Sequence, residues 1–420
     1  MRRYVRLGLR LDRVAPGLVD AHLGDPAVAR AVAAEPRPDP AVLRRDAAAL
    51  RRELPTAGLD PARTAFLDAQ LGALEVVAAR ADGHRIGVVD EVRACLGVRI
   101  GPGDPDAYRE AHRALADLLP GHGSLAERLG AFRAREVVAP QRLAGAVEAL
   151  GAALRARTAS AIGLPDGEAV RFEVVDTAPW SGFSHRTGPL GSTVSVNAGV
   201  PQRAAQLALL VAHEAYPGHH TDASRIEAAL RDGTARFPER ELLLARTPQS
   251  LVAEGAAELG LEVLLGRGWG PWSAEALRAA GAGPADGADG ALAEAVEAAM
   301  EGLAEVRQDA VLLLHGRGAG VDAEERALAH LRRWLLVDDD RARRMLAFVA
   351  HPRWRIHTTT YVEGVRLLRP WLAARPSGES ATVRFARLLD EPWTPGTLRP
   401  VDRASPVRHA RRVTTTVRRR

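Results

Sequence analysis

His213-Glu214-Ala215-Tyr216-Pro217-Gly218-His219-His220 places three histidines and a carboxylate within eight residues. The run leading into it, Gln206 to Ala212, is apolar and helix-forming. The chemistry is therefore expected on, or just after, a helix in the interior. A zinc hydrolase needs two or three neutral imidazoles, a carboxylate that takes a proton from water, and a further ligand from elsewhere in the chain. His213 followed by Glu214 supplies the start of that set. The usual short motif puts its second histidine four residues after the first, on the same helix face. Here that position is Pro217, which has no ligand atom.

His219 and His220 are the candidates to complete the pair. Six residues along an ideal helix turn through roughly 600°, which leaves His219 about 120° from His213. Seven residues bring His220 back to the same face but about 10 Å further along the axis. A straight helix delivers neither to a shared ion. Proline and glycine are the usual causes of a kink or local unwinding, so a bend is expected at Pro217-Gly218. His219 has less axial distance to recover and is assigned to the metal. His220 is the alternative ligand, otherwise packing behind it.

Working downstream, Thr247-Pro248 reads as a helix cap followed by proline at the first helical position. That helix carries Glu254 and Glu258, four apart on one face, among Leu251, Val252, Leu259 and Leu261. A carboxylate on an apolar helix needs a partner. Glu254 and Glu258 are thus candidates, respectively, for a third protein ligand and for a group that orients a ligand histidine from behind.

The motif resembles a bacterial family known as domain of unknown function 885, whose signature is His-Glu-x-x-Pro-Gly-His-His. Residues 213–220 match it at every fixed position. The likeness extends upstream through Val196-Asn197, downstream through Glu254-Gly255, and covers roughly the second half of the chain. Members look like zinc metallopeptidases of a largely helical, carboxypeptidase-like kind. The resemblance thus implies one Zn2+ per chain held by His213, His219 and Glu254, with Glu214 as general base.

It also implies roles further on. The family has an arginine and a histidine at the separation of Arg307 and His315, although Val311 stands where an aspartate is usual. Tyr361-Val362-Glu363-Gly364 fits its closing Tyr-x-x-Gly. A tyrosine hydroxyl or a histidine near the metal stabilises the oxyanion formed when water attacks a carbonyl; Tyr361, with His315, His357 or Arg307, is expected to do this. The family's Pro-Gly-Gln segment reads Arg355-Ile356-His357 here. The pocket is therefore expected to be more basic than the family pattern, which suits a carboxylate or another acidic group.

Composition sets the frame. The chain has 420 residues, long enough for a large core, and 46% hydrophobic residues exclude a disordered protein. All 57 basic residues are arginine. A single cysteine, Cys95, excludes an internal disulfide and fits a reducing cytoplasm. Arginines interrupt the apolar residues of Met1 to Val19, so no signal-peptide core is expected there. Nor does any uncharged apolar run reach membrane-spanning length. Arg403, Arg408, Arg411, Arg412 and Arg418 to Arg420 crowd the C-terminus, expected to be a solvated, disordered tail with no nucleic-acid or membrane partner.

Residues 1–162 read as an N-terminal helical region, with Asp39-Pro40, Asp60-Pro61 and Asp104-Pro105 as helix starts. Residues 163–400 read as the catalytic region, and 401–420 as the basic tail. Val170 to Val175 and Thr193 to Val196 are β-prone and predict a small antiparallel sheet with a long loop, beside the active-site cleft. Asn197 is expected to cap the metal helix or point into the site, and His185 is a weak candidate for substrate contact. Gly281 to Gly290 reads as a flexible surface loop, Arg307 to His315 as the end of the helix after it, and Asp322-x-x-Glu325 as a capping box.

The expectation is a mainly α, large metallopeptidase-like fold carrying a zinc-dependent hydrolase of peptide or amide bonds. Two alternatives stand beside it. One is a metal-dependent enzyme acting on a small carboxylate-bearing metabolite by hydrolysis or elimination. The other is a non-catalytic binding protein that keeps the fold.

Overall fold

The computed structural model describes residues 1–178 and 180–398; the arginine-rich tail lies outside the described residues. The first part is helical: α1 (Arg2–Asp12), α2 (Pro26–Ala33), α3 (Pro40–Glu53), α4 (Pro61–Ala81), α5 (Val88–Leu96), α6 (Pro105–Leu118), α7 (Leu125–Arg135) and α8 (Pro140–Ala161). The Asp-Pro starts fall where the sequence puts them. Asp39, Asp60 and Asp104 each accept a backbone N–H of the first turn, while proline occupies a position whose N–H has no helical partner.

After β2 (Ala169–Val175), β3 (Gly182–Gly188) and β4 (Gly191–Asn197) come α9 (Ala204–Glu214) and α10 (His219–Arg231). Then follow α11 (Pro248–Leu265), α12 (Trp269–Ala279), α13 (Gly290–Glu301), α14 (Glu305–His315), α15 (Ala323–Leu335), α16 (Asp339–Ala350), α17 (His357–Ala373), α18 (Ala381–Asp390) and α19 (Pro395–Leu398). The mainly helical fold is as expected.

Four local expectations are corrected. The sheet is mixed, in order β2-β4-β3, with β2 parallel to β4 and β3 antiparallel to it; the supposed loop contains β3. Arg307 and His315 lie on α14, separated from α13 by a turn at residues 302–304. Asp322 stands at the start of α15 without making a side-chain cap bond and pairs with Arg326 instead. Asn197 neither caps α9 nor reaches the site. Its amide donates to the Ala178 and Trp180 carbonyls, at 2.9 Å each, and its oxygen accepts the Gly199 N–H.

A second sheet was not foreseen. Strand β1 (Val19–His22) pairs antiparallel with β5 (Leu242–Leu244), and the register slips between Val19 and Ala21. One apolar cluster runs from Tyr4 and Leu11 through Leu74, Leu115 and Leu150 to Leu251, Val311 and Ile356. It draws on residues from both sides of position 162.

α11 is the axis of the site. Leu251 and Leu261 join the large cluster, while Val252, Ala256 and Leu259 join a second one with Leu368, Leu372 and Phe385. A helix apolar on two faces is buried on both, and each fully buried Val or Leu contributes about 1.5–3 kcal/mol. The strip between them carries Gly255, where a Cβ would stand 2.5 Å from the carbonyl carbon of Gly364 on α17. α11 and α17 therefore touch backbone to backbone, which brings Glu254 close to His357 and Tyr361.

Candidate active site

The motif does not bend a helix; it breaks one. α9 stops at Glu214 and α10 begins at His219, with the chain reversing through Ala215 to Gly218. The Tyr216–Pro217 peptide is cis. Gly218 donates its N–H to the Ala212 carbonyl at 2.9 Å, and a Cβ on it would fall 1.8 Å from the His213 carbonyl oxygen. Only glycine fits this approach, and it lays the start of α10 against the end of α9.

The two imidazoles meet as a result. His213 Nε2 and His219 Nε2 are 3.1 Å apart, with their rings nearly perpendicular. Glu254 Oε2 completes a triangle, 3.3 Å from the first nitrogen and 3.5 Å from the second. Ligand atoms at about 2.0–2.2 Å from a tetrahedral zinc stand roughly 3.3–3.5 Å from one another. Glu254 Oε2 is also buried without a hydrogen bond. Two nitrogens and one orphaned carboxylate oxygen thus converge on a point that could hold a cation.

The surroundings fix which atoms converge. Glu258 Oε1 lies 3.3 Å from His213 Nδ1, which holds the proton on that nitrogen and turns Nε2 toward the triangle. Burial opposes charge on His213, but its contacts to Glu254 and Glu258 outweigh it and hold the imidazole well above its ordinary pKa. Burial likewise opposes charge on Glu254, yet His219 and His213 hold its carboxyl well below the usual range. Both follow from one crowded cluster of opposite charges.

α17 supplies a second layer. Its first residue, His357, has Nε2 4.0 Å from Glu254 Oε1 and 2.8 Å from the Tyr361 hydroxyl. Burial lowers the His357 pKa, against the pull of Glu254. Burial and then Glu254, Glu258 and Glu214 push Tyr361 well above its usual value, so its hydroxyl keeps its proton. Glu214 ends α9 half-buried beside His213, and its charge acts on His213, His219 and Tyr361.

The remaining candidates are not brought in. His220 is buried behind the triangle, and both ring nitrogens are taken: Nδ1 by Ser192 Oγ and Nε2 by Glu168 Oε2, each at 2.8 Å. His315 Nε2 lies 3.0 Å from the Val349 carbonyl oxygen. Arg307 is exposed on α14, reaching Tyr361 only through its charge. Arg355 turns to Glu91, with Nε 2.7 Å away, so of the altered segment only His357 adds a basic group beside Glu254. His185 stacks on Phe183 in β3.

Two neighbours of this cluster escaped the sequence. Asp20 lies at the β1 irregularity, where a bulge re-aims a side chain. It remains reachable by solvent, yet the protein crowding it raises its pKa, with His219, Glu254 and His357 among the charges it feels. Glu168 is the other. It accepts from Arg155 Nε at 2.6 Å and from the Tyr216 hydroxyl at 2.7 Å, and also pairs with His220. This locks the reversal from behind. Neither residue sits in a pattern that marks it, because each is brought in by pairing or packing with distant chain.

No family model matches this chain, and no curated protein matches it. Among solved structures it is similar to one described as "The crystal structure of the putative lipoprotein from Colwellia psychrerythraea". The two are 15% identical with a TM-score of 0.49, over 84% of this chain. The match spans 65% of the other chain's length. Among the described residues no helix is long and apolar enough to cross a membrane.

Proposed function

We propose that this protein is a zinc-dependent hydrolase of peptide or amide bonds. The observation that carries the reading is the triangle of His213 Nε2, His219 Nε2 and Glu254 Oε2, whose edges of 3.1, 3.3 and 3.5 Å lie close to those around a tetrahedral ion and whose carboxylate oxygen has no hydrogen bond. Three protein ligands, leaving a fourth position open, are the pattern of a catalytic zinc. When bound, zinc supplies Lewis acidity and lowers the pKa of water.

The chain's own groups divide the remaining work. Glu214 takes the proton from the attacking water and returns it to the leaving amine. Tyr361, kept protonated by its burial, donates to the oxyanion that develops on the carbonyl. His357, held neutral, keeps the Tyr361 hydroxyl in place through their 2.8 Å contact. Glu258 holds His213 in the tautomer that presents Nε2. The lone, buried Cys95 fits a reducing cytoplasm as the place of work.

Metal analysis of protein purified without added zinc tests the reading. About one zinc per chain is expected, and none in His213→Ala. Unchanged zinc in that variant would overturn the ligand set. Release of amines from blocked dipeptides is the accompanying assay; turnover of small carboxylate metabolites alone would move the reading to that substrate class.

A further inference from the structure

Near Asp20, two guanidinium groups make no ion pair among the described residues. Arg353 precedes α17 and folds its guanidinium over Gly17, so closely that a Cβ there would sit 1.7 Å from Nη2. Its guanidinium carbon lies 4.3 Å from the centre of the Trp354 ring, which in turn meets the His357 ring at 5.6 Å. Arg246 follows β5 and gives Nη2 to the Ala15 carbonyl at 3.3 Å. Both Nε atoms are buried without a hydrogen-bond partner. Both side chains are only partly covered, so solvent still reaches them.

The nearby acids do not pair with them. Glu91 is engaged by Arg80 and Arg355, and Asp20 acts on Arg353 through its charge without an ion pair. Neither Arg246 nor Arg353 has an ion pair among the described residues. Burial lowers the Arg246 pKa, and Arg80 and Arg353 push it in the same direction. A half-buried guanidinium costs free energy unless an anion with matching geometry meets it. Arg353 lies over Trp354, the Trp354 ring meets His357, and His357 Nε2 is 4.0 Å from Glu254 Oε1, so side-chain contacts link this cationic spot to the triangle.

We infer that Arg353, with Arg246 behind it, forms a subsite for a carboxylate of the substrate, one step along the chain from the bond to be cut. A planar carboxylate matches the guanidinium fork. Asp20, whose charge acts on Arg353, opposes any anion there, and a doubly charged phosphate more than a carboxylate. The preferred substrates are then amides whose leaving amine carries a free carboxylate, such as N-acyl amino acids and peptides cut next to their C-terminus. The substrate half of this inference rests on the amide-hydrolase reading; the anion subsite does not.

The test is calorimetry with N-acetylalanine and N-acetylalaninamide on the zinc-loaded Glu214→Gln protein, which cannot turn them over. The acid is expected to bind at least tenfold more tightly than the amide, and Arg353→Gln to erase that difference. Arg353→Lys should restore only part of it, since an ammonium lacks the fork. Equal binding of acid and amide, no binding of the acid, or a preference that survives both Arg353→Gln and Arg246→Gln would each overturn the subsite. The active protein is then given N-acetyl dipeptides with free or amidated ends. A binding preference with no hydrolysis of either peptide leaves the subsite standing and removes the hydrolase. Hydrolysis of both without preference does the reverse.

Discussion

Gly255 on α11 and Gly364 on α17 lie so close that a Cβ on Gly255 would stand 2.6 Å from the Gly364 Cα. This is what carries Glu254 to the His357 and Tyr361 side of the site. Gly255→Ala has backbone, not a flexible side chain, to displace. It is expected to cost about 1–3 kcal/mol, read as a lowered thermal midpoint. It should also weaken zinc binding by prising Glu254 away from the histidines. Wild-type stability and zinc affinity in this variant would show that the contact is not tight.

His219 and His220 are adjacent yet do different work. His219→Ala is expected to lower zinc affinity by several orders of magnitude. His220→Ala should leave most zinc binding and act through stability, because it strips partners from buried Glu168 and Ser192, at about 1–3 kcal/mol. Chelator competition on both variants separates them; equal loss of zinc would show that the buried network reaches the metal as strongly as a ligand does.

Glu214→Gln keeps the size and fold of the side chain but not its basicity. Zinc content should be unchanged, while turnover falls by about 10²–10⁴-fold. Loss of zinc together with activity would make Glu214 a ligand.

Asp309 provides a pH test far from the triangle. It accepts the Tyr108 hydroxyl and the Gly103 N–H, each at 2.7 Å, and lies 3.1 Å from His330 Nε2. Burial opposes its ionisation, but these partners, His330 first, hold its carboxyl below the ordinary value. A depressed carboxyl stabilises the fold above the unfolded value of about 3.9, and that contribution is lost as pH falls through the folded one. Asp309→Asn should therefore melt lower than the parent near pH 5, and the margin should shrink as pH falls below about 4. A margin independent of pH would place the cost in packing alone.

Cys95 is 1% exposed, and burial pushes its thiol up to about 12. The thiolate is the reactive form, so a thiol reagent at pH 8 should label the protein only after denaturant is added. Prompt labelling of native protein would contradict this burial.

Local signals in the sequence reached the structure well. Asp39, Asp60, Asp104 and Thr247 begin helices as read, because an N-cap and a first-turn proline act within one turn. That His213, His219 and Glu254 come together was legible for a related reason: a short histidine motif and a carboxylate on an otherwise apolar helix both stand out locally, although the three residues lie on α9, α10 and α11. The size of the bend was not. A helix broken outright at residues 215–218 needs the contact between Gly218 and the His213 carbonyl, which no local pattern encodes. Asp20 was invisible because β1 is only four residues long and owes its strand state to β5. The parallel pairing of β2 with β4 was missed because alternation tells a strand from a helix but not the direction of its neighbour.

The pairing of Val19 with Leu244 also sets an order of events as the chain is made. At about 5–20 residues per second, β1 and Asp20 leave the ribosome tens of seconds before the strand that holds them in register. Until then Leu18 and Val19 have no sheet to join, and Asp20, whose charge interacts with His219, is not held in place. Closing so distant a contact is slow relative to local helix formation. The late step in refolding should therefore be the docking of the first twenty residues, with zinc affinity recovering only after the helical signal is complete.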